Sequence, residues 1–321
     1  MAEAWDSTIK EEIRLVEEEM RRSVSSEQPL LTEISLYVIG AGGKRMRPGV
    51  TILSFKATGG GTPEKAIRMA SAFEMIHSAT LIHDDINDEG EFRRGRVAAY
   101  RKYGTQRALI AGDFLFVQSF RLGGIFDETV VEMIASACTA IAESEMLQSF
   151  YEFDPETPIE AYIKIVEGKT AKPIEAGARV GAYLSKSTPE VMEAMGRYGL
   201  NMGIAFQIVD DIMDIEGNQE TMGKPHGIDF LDGKPTLPML IAMKDPHKGA
   251  QIRELFMRKS RNLAELDQAL ALIKSTDAVD RARAEAKRYV ELAKKELSVL
   301  PPSHYKDGML CLANVVVERN A

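Results

Sequence analysis

Apolar residues recur at helical spacing along most of the chain. Trp5, Ile9, Ile13, Val16 and Met20 follow one another every three or four residues, with charged residues between them. This period is typical of an amphipathic helix. The same reasoning predicts helices over residues 30–39, 48–57, 67–82, 106–120, 127–149, 158–180, 190–215, 236–243, 249–259, 262–273, 277–297 and 303–319. No alternating pattern of useful length indicates a strand, so the predicted fold class is all-α.

Composition narrows the class of protein. The chain has 321 residues, 45% hydrophobic and 27% charged, as in soluble globular proteins, and no linker-like stretch divides it. We therefore predict a single domain over residues 1–321. The net charge of −8 argues against a general nucleic-acid binder, and no apolar run is long enough to span a bilayer. The acidic N-terminal segment lacks the features of a signal peptide, and Cys138 and Cys311 stand far apart, which favours a cytoplasmic protein.

An aspartate cluster ends the apolar helix predicted at 67–82. Asp84, Asp85 and Asp88 form the pattern D-D-x-x-D, which places Asp84 and Asp88 one turn apart on one helix face. Like charges at this spacing repel, and a hard divalent cation with oxygen ligands would turn the repulsion into attraction. Taken alone, the cluster is explained equally well as a solvated acidic helix end.

The same pattern returns at the end of another apolar helix. Asp210, Asp211 and Asp214 repeat the D-D-x-x-D spacing, with Gln207 one turn before them. Two such triplets are much less expected by chance than one. Facing each other across a helical bundle, they would hold several Mg²⁺ ions with open coordination positions.

Basic residues outnumber what one phosphate group needs. They follow a glycine pair, follow the first triplet, interrupt a predicted helix, and lie in the glycine-rich segment 216–238, which we interpret as a mobile basic flap. In isolation the cations after the glycine pair could be an ordinary solvated basic turn, and Arg93 and Arg94 could neutralise the aspartates as salt bridges. Lys169, among apolar residues, would be costly to bury without an anionic partner. Together these basic residues indicate two diphosphate sites, one bridged by metal and one free of metal. The cations are Lys44, Arg45, Arg47, Arg93, Arg94, Lys169, Lys224 and Lys234.

Two diphosphate sites and a metal clamp suit one reaction type. Mg²⁺ and cations stabilise the charge on a leaving diphosphate as its C–O bond breaks. If the carbon is allylic, the resulting carbocation needs an apolar cavity that excludes water. The apolar helices that carry the aspartates would supply such a cavity.

At this level of detail the chain resembles a known family, the trans-isoprenyl diphosphate synthases or polyprenyl synthetases, of the long-chain type. The motifs stand in the family's order between residues 42 and 240: GGKRMRP, HDDIND followed by RRGR, AGDFL, GKTA, FQIVDDIMD and GKPHGIDFLDGKPTLP. The resemblance implies the isoprenoid synthase fold, a helical bundle around a deep apolar central cavity. It also implies a homodimer, and transient membrane contact at product release.

The resemblance implies that isopentenyl diphosphate is condensed head-to-tail onto an allylic diphosphate. About three Mg²⁺ ions per active site are implied, which Mn²⁺ can replace. The departing diphosphate takes the proton, so no dedicated protein base is required. The residues matching metal ligands are Asp84, Asp85, Asp88, Asp210, Asp211 and Asp214. Those matching catalytic positions are Asp84, Asp85, Asp88, Lys169, Asp210 and Asp211. Those matching the isopentenyl diphosphate site are Lys44, Arg45, Arg47, His77 and Arg94. Those matching the allylic diphosphate site are Arg93, Lys169, Thr170, Gln207, Lys224 and Lys234.

The flap departs from the family pattern at His226 and Ile228, which leaves the roles of His226 and Asp229 open. Product length is inferred from the helix below the first triplet. In the family, a large aromatic residue at the position of Ala79 or Thr80 closes the cavity early; both are small here, and Phe120 matches a deeper aromatic floor. We therefore expect products of roughly six to eight isoprene units, with a short-chain synthase making farnesyl or geranylgeranyl diphosphate as the alternative.

Other classes fit less well. An HD-type metal phosphohydrolase, suggested by His83-Asp84, needs several histidine ligands, and the chain has five histidines in all. A terpene cyclase needs one diphosphate site, whereas the cations indicate two. A non-catalytic subunit of a heteromeric synthase could lose its metal ligands, whereas both triplets are complete here.

Overall fold

The computed structural model describes residues 5–217, 226–258 and 262–318. Helices dominate this part of the chain, which confirms the predicted all-α class. In the first half they are α1 (Lys10–Ser23), α2 (Pro29–Ile39), α3 (Met46–Ala57), α4 (Glu64–Asn87), α5 (Ala99–Tyr103), α6 (Thr105–Gly123) and α7 (Glu128–Phe150). A single turn of 3-10 helix, Ser7–Ile9, precedes α1.

The second half continues in the same way. It contains α8 (Ile159–Val166), α9 (Lys172–Leu184), α10 (Pro189–Glu216), α11 (Ile228–Leu231), α12 (Leu237–Ala242), α13 (Gly249–Met257), α14 (Leu263–Lys274), α15 (Ala278–Glu296) and α16 (His304–Glu318). A π-helical turn, Glu167–Ala171, joins α8 to α9, and a 3-10 turn, Leu297–Val299, follows α15. No described helix is long and apolar enough to cross a membrane.

Three short elements were not predicted from the sequence. Two are the helices α5 and α11. The third is a hairpin of strands β1 (Phe92–Arg93) and β2 (Arg96–Val97), which pair antiparallel. Each helix or strand among them is five residues long or shorter, too short for a hydrophobic period to register.

The chain folds into two compact units. The first contains Met1–Cys138, Pro173–Gly199 and Leu297–Cys311, and the second contains Thr139–Lys172, Leu200–Glu296 and Leu312–Ala321. The boundaries at 138/139 and 199/200 fall inside α7 and α10. The single domain over residues 1–321 stays a prediction.

In the first unit, α4 is the central helix. Apolar residues surround it on nearly every side until its last turn, so it has no polar face to present to water. It packs most extensively against α6, and also against α3 and α1. The first aspartate triplet therefore sits at the end of a helix that the rest of the unit holds rigidly.

In the second unit, the C-terminal half of α10 carries the second triplet. Close approach fixes it against the π-helical turn: a Cβ added at Gly203 would lie 2.4 Å from the Cα of Ala171. Elsewhere the core includes an edge-to-face contact of Phe230 and Phe256, with ring centroids 5.5 Å apart. The π-helical turn, which also carries Lys169 and Thr170, is thus held directly against the helix of the second triplet.

Candidate active site

The first triplet occupies the C-terminal end of α4. Asp84 and Asp85 belong to the last helical turn and Asp88 is the C-cap, its N–H donating to the carbonyl of Asp84 at 2.8 Å. Asp85 is buried, with 4% of its surface exposed. Its Oδ1 accepts from Nε of Arg93 at 2.7 Å. One carboxylate of the triplet is therefore neutralised by an arginine that follows it closely in sequence.

The β1–β2 hairpin presents the two arginines that follow the triplet. Its two-residue turn is Arg94-Gly95, with φ of 51° and 72°, the positive values that a type I′ hairpin turn requires. Arg94 donates to the carbonyl of Gly42. A Cβ at Gly43, whose φ is 134°, would lie 2.9 Å from Nη1 of Arg94. The glycine pair of the GGKRMRP motif thus provides the space in which Arg94 lies.

His77 lies two turns before Asp84 on α4, among the cations of these two loops. Its Nε2 is 3.4 Å from Nη2 of Arg94. Desolvation of its partly buried ring, and then the charges of Arg47, Arg94, Arg93 and Arg45, lower the pKa of His77 well below its usual value. Burial also lowers the pKa of Arg94, as do its neighbours Arg45 and Arg93. A neutral imidazole among several guanidinium groups is an environment that favours a bound anion.

Arg45 faces a different set of partners from the one its motif suggests. It takes a left-handed conformation with φ 49° and is 8% exposed. Its guanidinium donates to Glu74 at 2.7 Å, to Glu17 at 3.1 Å and to the carbonyl of Ile39 at 2.8 Å. These contacts engage Arg45 inside the first unit and fix the loop from which α3 begins at Met46, two residues earlier than predicted. Lys44 remains exposed and Arg47 half-buried.

The second triplet lies in a different electrostatic setting. Asp211 is 3% exposed and accepts hydrogen bonds from the hydroxyl of Tyr162 at 2.6 Å and from Nε2 of Gln207 at 2.8 Å. Burial, followed by the charges of Asp229 and Asp210, raises the pKa of Asp211 well above its usual value. The hydrogen bonds oppose this rise without cancelling it.

Asp214 and Asp229 extend this cluster. Asp214 accepts from the backbone N–H groups of Ile228 and Asp229, both at 3.2 Å, and so caps α11. Burial and the charge of Asp229 raise the pKa of Asp214, and burial raises the pKa of Asp229 to about 6. Asp229, whose role the sequence left open, therefore belongs with the second triplet. Several carboxylates that repel one another and resist ionisation form a donor set suited to a hard cation.

The π-helical turn places the residues of the GKTA motif beside this cluster. Oγ1 of Thr170 donates to Oε1 of Gln207 at 2.8 Å, so one chain of hydrogen bonds joins Thr170, Gln207, Asp211 and Tyr162. Nζ of Lys169 is 2.5 Å from Oε1 of Glu145. This carboxylate is the anionic partner that a lysine inside an apolar helix requires. Single π turns of this kind are frequent at functional sites.

The remaining flap residues are only partly described. Nζ of Lys234 is 3.1 Å from Asp232. Lys224 lies outside the described residues, together with the rest of the stretch 218–225 of the segment interpreted as a flap.

Each triplet would need further ligands to enclose a metal ion. Among the described residues, no three side chains of Asp, Glu, His or Cys converge tightly enough to hold a metal by themselves. The donor chemistry nevertheless fits Mg²⁺, which keeps several waters and binds through one or two carboxylates together with phosphate oxygens.

The product-length residues differ in exposure. Ala79 is completely buried, whereas Thr80 is partly exposed and donates to the carbonyl of His77 at 2.9 Å. Phe120 on α6 is 40% exposed and contacts the ring of Phe116, with centroids 5.4 Å apart. Thr80 is therefore a better candidate than Ala79 for contact with a growing chain.

Two residues of the site were missed from the sequence. Tyr162 stands seven residues before Lys169, two turns away along a continuous helical path, a spacing that could have suggested it. Glu145 is distant in sequence and gave no local signal. His83, which suggested a phosphohydrolase, faces α6. Its Nε2 is 3.6 Å from Oδ1 of Asp113, and a Cβ added at Gly112 would lie 2.4 Å from the same Nε2.

Comparison with known proteins decides the family. The model of the polyprenyl synthetase family matches residues 28–273. The chain belongs to this family. The predicted class of enzyme, a prenyltransferase, is confirmed at this level, and the phosphohydrolase is set aside.

Relatives match along nearly their whole length. The chain is 32% identical to octaprenyl diphosphate synthase of Haemophilus influenzae, covering 96% of this chain and 94% of that protein. It is 34% identical to an all-trans-nonaprenyl-diphosphate synthase of Rhodobacter capsulatus, covering 97% and 96%. A polyprenyl synthase from Caulobacter crescentus, solved in complex with calcium and isoprenyl diphosphate, has a TM-score of 0.95 at 32% identity and covers 100% of this chain and 98% of that one. These likenesses confirm the isoprenoid synthase fold.

Proposed function

We propose that the protein condenses isopentenyl diphosphate head-to-tail onto an allylic prenyl diphosphate and releases a polyprenyl diphosphate of about six to eight isoprene units. The observation that carries the proposal is that one chain of this family contains two complementary clusters. One is a carboxylate cluster that needs cations, and the other is a cation cluster around a neutral histidine that needs an anion.

The carboxylates and the residues around them would bind the allylic diphosphate. Both triplets serve it, and bound Mg²⁺, about three ions per site, would supply charge stabilisation to the departing diphosphate. Arg93, Lys169 and Lys234 add positive charge at the same group, with Lys224 assigned by motif alone. Each of the three described cations is held by a carboxylate, Asp85, Glu145 and Asp232 respectively. A diphosphate would compete for these cations, and Thr170 and Gln207 would hold Asp211 in place.

The cation cluster would bind isopentenyl diphosphate. Lys44, Arg47 and Arg94 would neutralise the negative charge of its diphosphate. Neutral His77 would donate or accept a hydrogen bond without adding charge. Because Arg45 already satisfies its donors on Glu17, Glu74 and Ile39, we assign it to holding the loop rather than to the substrate.

In the reaction, the allylic C–O bond breaks and the electron pair leaves with the diphosphate. The double bond of isopentenyl diphosphate then forms the new C–C bond to the allylic cation. A proton lost from the adduct goes to the departed diphosphate, which restores the double bond. The protein orients the two substrates and excludes water from the cation.

Product length is supported by relatives and by Thr80. The relatives named above are octaprenyl and nonaprenyl synthases. A geranylgeranyl pyrophosphate synthetase from Pyrococcus horikoshii is also similar, at 31% identity and a TM-score of 0.89. A short-chain product is therefore the alternative, and the small side chain of Thr80 favours the longer one.

We also propose a cytoplasmic homodimer. Leu109, Ile110, Val117 and Phe120 of α6 are each at least 40% exposed, an apolar surface that a second copy could cover. Phe120 lies on this face, so its proposed role as the floor of the product cavity competes with a role in the dimer. Cys138 and Cys311 form no disulfide within the described part of the chain, which agrees with a reducing compartment.

The test is incubation of the protein with Mg²⁺, isopentenyl diphosphate and, separately, dimethylallyl, geranyl, farnesyl and geranylgeranyl diphosphates. Chromatography of the dephosphorylated products should show chains of roughly six to eight isoprene units. A product that stops at farnesyl or geranylgeranyl would establish the short-chain alternative. No elongation from any starter would contradict the proposal.

A further inference from the structure

The hairpin that carries Arg93 and Arg94 has little internal stability. It consists of two residue pairs, Phe92 with Val97 and Arg93 with Arg96. Phe92 is 52% exposed and Val97 42% exposed, so the hairpin buries little apolar surface. A two-stranded hairpin of this size is marginal in water. Its position must therefore be set by contacts from outside it.

Tyr37, in the last turn of α2, makes several of these contacts. Its hydroxyl donates to the carbonyl of Val97 at 2.8 Å. Arg96 donates to the backbone carbonyl of Tyr37 at 3.4 Å and lies 5.7 Å from the centre of its ring. Nζ of Lys102 lies 4.0 Å from the centre of the same ring, and the ring of Tyr103 packs edge-to-face with it, with centroids 5.5 Å apart. The side chain of Tyr37 thus contacts both strand β2 and helix α5.

The same segment holds the hairpin at a second point. Gly42, five residues after Tyr37, accepts the hydrogen bond from Arg94. Tyr37 and Gly42 therefore hold the hairpin at β2 and at its turn. Arg93 has an independent anchor, since it is paired with Asp85 on α4. Loss of the Tyr37 contact should displace Arg94 more than Arg93.

We propose that Tyr37 is a positioning residue for isopentenyl diphosphate. It does not contact the substrate; it ties the hairpin to the segment that leads into Lys44 and so fixes Arg94 beside His77 and the glycine pair. This inference rests on the proposed function, because it assigns the anion bound by Arg94. A displaced Arg94 would lose part of its charge-assisted hydrogen bonding to the bound anion, which would weaken binding of that substrate.

The test compares Tyr37→Phe and Tyr37→Ala with Tyr183→Phe. The first variant removes one hydrogen bond and keeps the ring contacts, so the KM for isopentenyl diphosphate should rise about fivefold. Tyr37→Ala also removes the ring contacts with Lys102, Tyr103 and Arg96, leaves the hydrogen bond from Arg96 to the backbone carbonyl, and should raise this KM further. The kcat and the KM for the allylic diphosphate should stay within about twofold. Tyr183 is the matched control, since its hydroxyl donates to Asp127 at 2.9 Å away from the hairpin.

Hydrogen exchange of the amides of residues 91–98 gives a readout that does not depend on turnover. Exchange should be faster in both Tyr37 variants and unchanged in Tyr183→Phe. If the wild type elongates no starter, the proposed function fails by itself, and calorimetric titration of isopentenyl diphosphate against the same variants then replaces the KM. The inference is overturned if Tyr37→Phe binds isopentenyl diphosphate as the wild type does. It is also overturned if both substrates weaken equally.

Discussion

The two aspartate triplets have the same spacing and different surroundings. Asp85, the buried member of the first, is paired with Arg93. Asp211, the buried member of the second, receives hydrogen bonds from a phenol and an amide, and Asp214 receives them from backbone N–H groups. These donors are uncharged. The charge of Asp229 adds to the repulsion, and the pKa values of Asp211 and Asp214 are raised.

The difference shows that one motif can serve two electrostatic purposes. In the first triplet the protein supplies a counter-charge to Asp85, so a metal ion bound through that carboxylate would compete with Arg93. In the second triplet Asp211 and Asp214 are held by uncharged donors and repel their neighbours, and the charges of Lys234 and Lys169 oppose the rise only at Asp229. A metal ion would relieve this repulsion and should therefore be attracted more strongly there. We therefore expect the second triplet to set the dependence of activity on metal concentration.

The largest effect should follow loss of a carboxylate from either triplet. Asp84→Asn and Asp210→Asn should each lower kcat by at least about 10²-fold, because charge stabilisation of the leaving group is lost. Excess Mg²⁺ should restore part of the activity of Asp84→Asn and little of Asp210→Asn. Initial rates over a range of Mg²⁺ concentration measure both effects. Asp280→Asn, an exposed aspartate on α15, is the control and should behave as the wild type.

The helix of the first triplet should also determine product length. Thr80 lies one turn before Asp84, about 6 Å along the helix axis. Thr80→Tyr should shift the product distribution to shorter chains, as measured by chromatography. Ala79→Tyr tests the position implied by resemblance, but Ala79 is fully buried and the change should also lower stability by about 1–3 kcal/mol.

The control is Ala284→Tyr, which adds the same side chain on α15, away from the first triplet in sequence and outside its unit. If Thr80→Tyr and a folded Ala79→Tyr both give products of wild-type length, the helix of the first triplet does not line the product cavity.

A smaller effect is expected from the hydroxyl that holds Asp211. Tyr162→Phe removes a 2.6 Å hydrogen bond without changing the shape of the side chain. The Mg²⁺ concentration for half-maximal rate should rise about tenfold, as for loss of a group that orients a metal ligand. Tyr198→Phe is the matched control, since this buried tyrosine donates to the carbonyl of Met309. It should lose stability and keep the wild-type dependence on Mg²⁺, and an equal response of both variants would refute the role of Tyr162.

The smallest effect is a pH dependence of stability that belongs to the first unit. His77 has a lowered pKa in the folded protein, so the unfolded chain binds more protons as the pH falls. The stabilisation is complete above the ordinary pKa of about 6.5 and is lost as the pH falls below it, by at most about 1.4 kcal/mol per pH unit. Unfolding by urea at pH 7.5 and 5.5 measures it. His77→Gln should lose less stability than the wild type over this range, and an equal loss would show that His77 is not the titrating group.

Much of the fold followed from hydrophobic period alone, because most helices are long enough to show a clear pattern. The prediction over 158–180 missed an internal feature: the π-helical turn Glu167–Ala171 keeps the helical period nearly intact. The turn lies where Ala171 packs closely on Gly203, a tertiary contact that the local sequence does not reveal. The hairpin turn was readable in principle from Arg94-Gly95, but strands of two residues leave no alternation to detect.

The candidate site was predictable where charge is locally concentrated. The aspartate triplets and the GGKRMRP cations are visible in the sequence, but their partners are not. Arg45 stands among substrate-binding candidates and yet pairs with Glu17 and Glu74, because a left-handed backbone directs it inward. Tyr162 and Glu145 contribute through contacts between residues far apart in sequence. The spacing of Tyr162 from Lys169 could have suggested the tyrosine, whereas no local pattern marks Glu145.

The number of metal ions bound together with substrate tests the proposed clamp of two aspartate triplets. Mn²⁺ binding to the wild type can be measured by electron paramagnetic resonance in the presence of a non-ionisable thiolo analogue of an allylic diphosphate. A clamp formed by both triplets should bind about three ions per chain, and fewer in both Asp84→Asn and Asp210→Asn. The clamp would be contradicted if the wild-type protein with the analogue bound no more Mn²⁺ than the analogue binds without protein. It would also be contradicted if Asp210→Asn bound as many Mn²⁺ ions as the wild type.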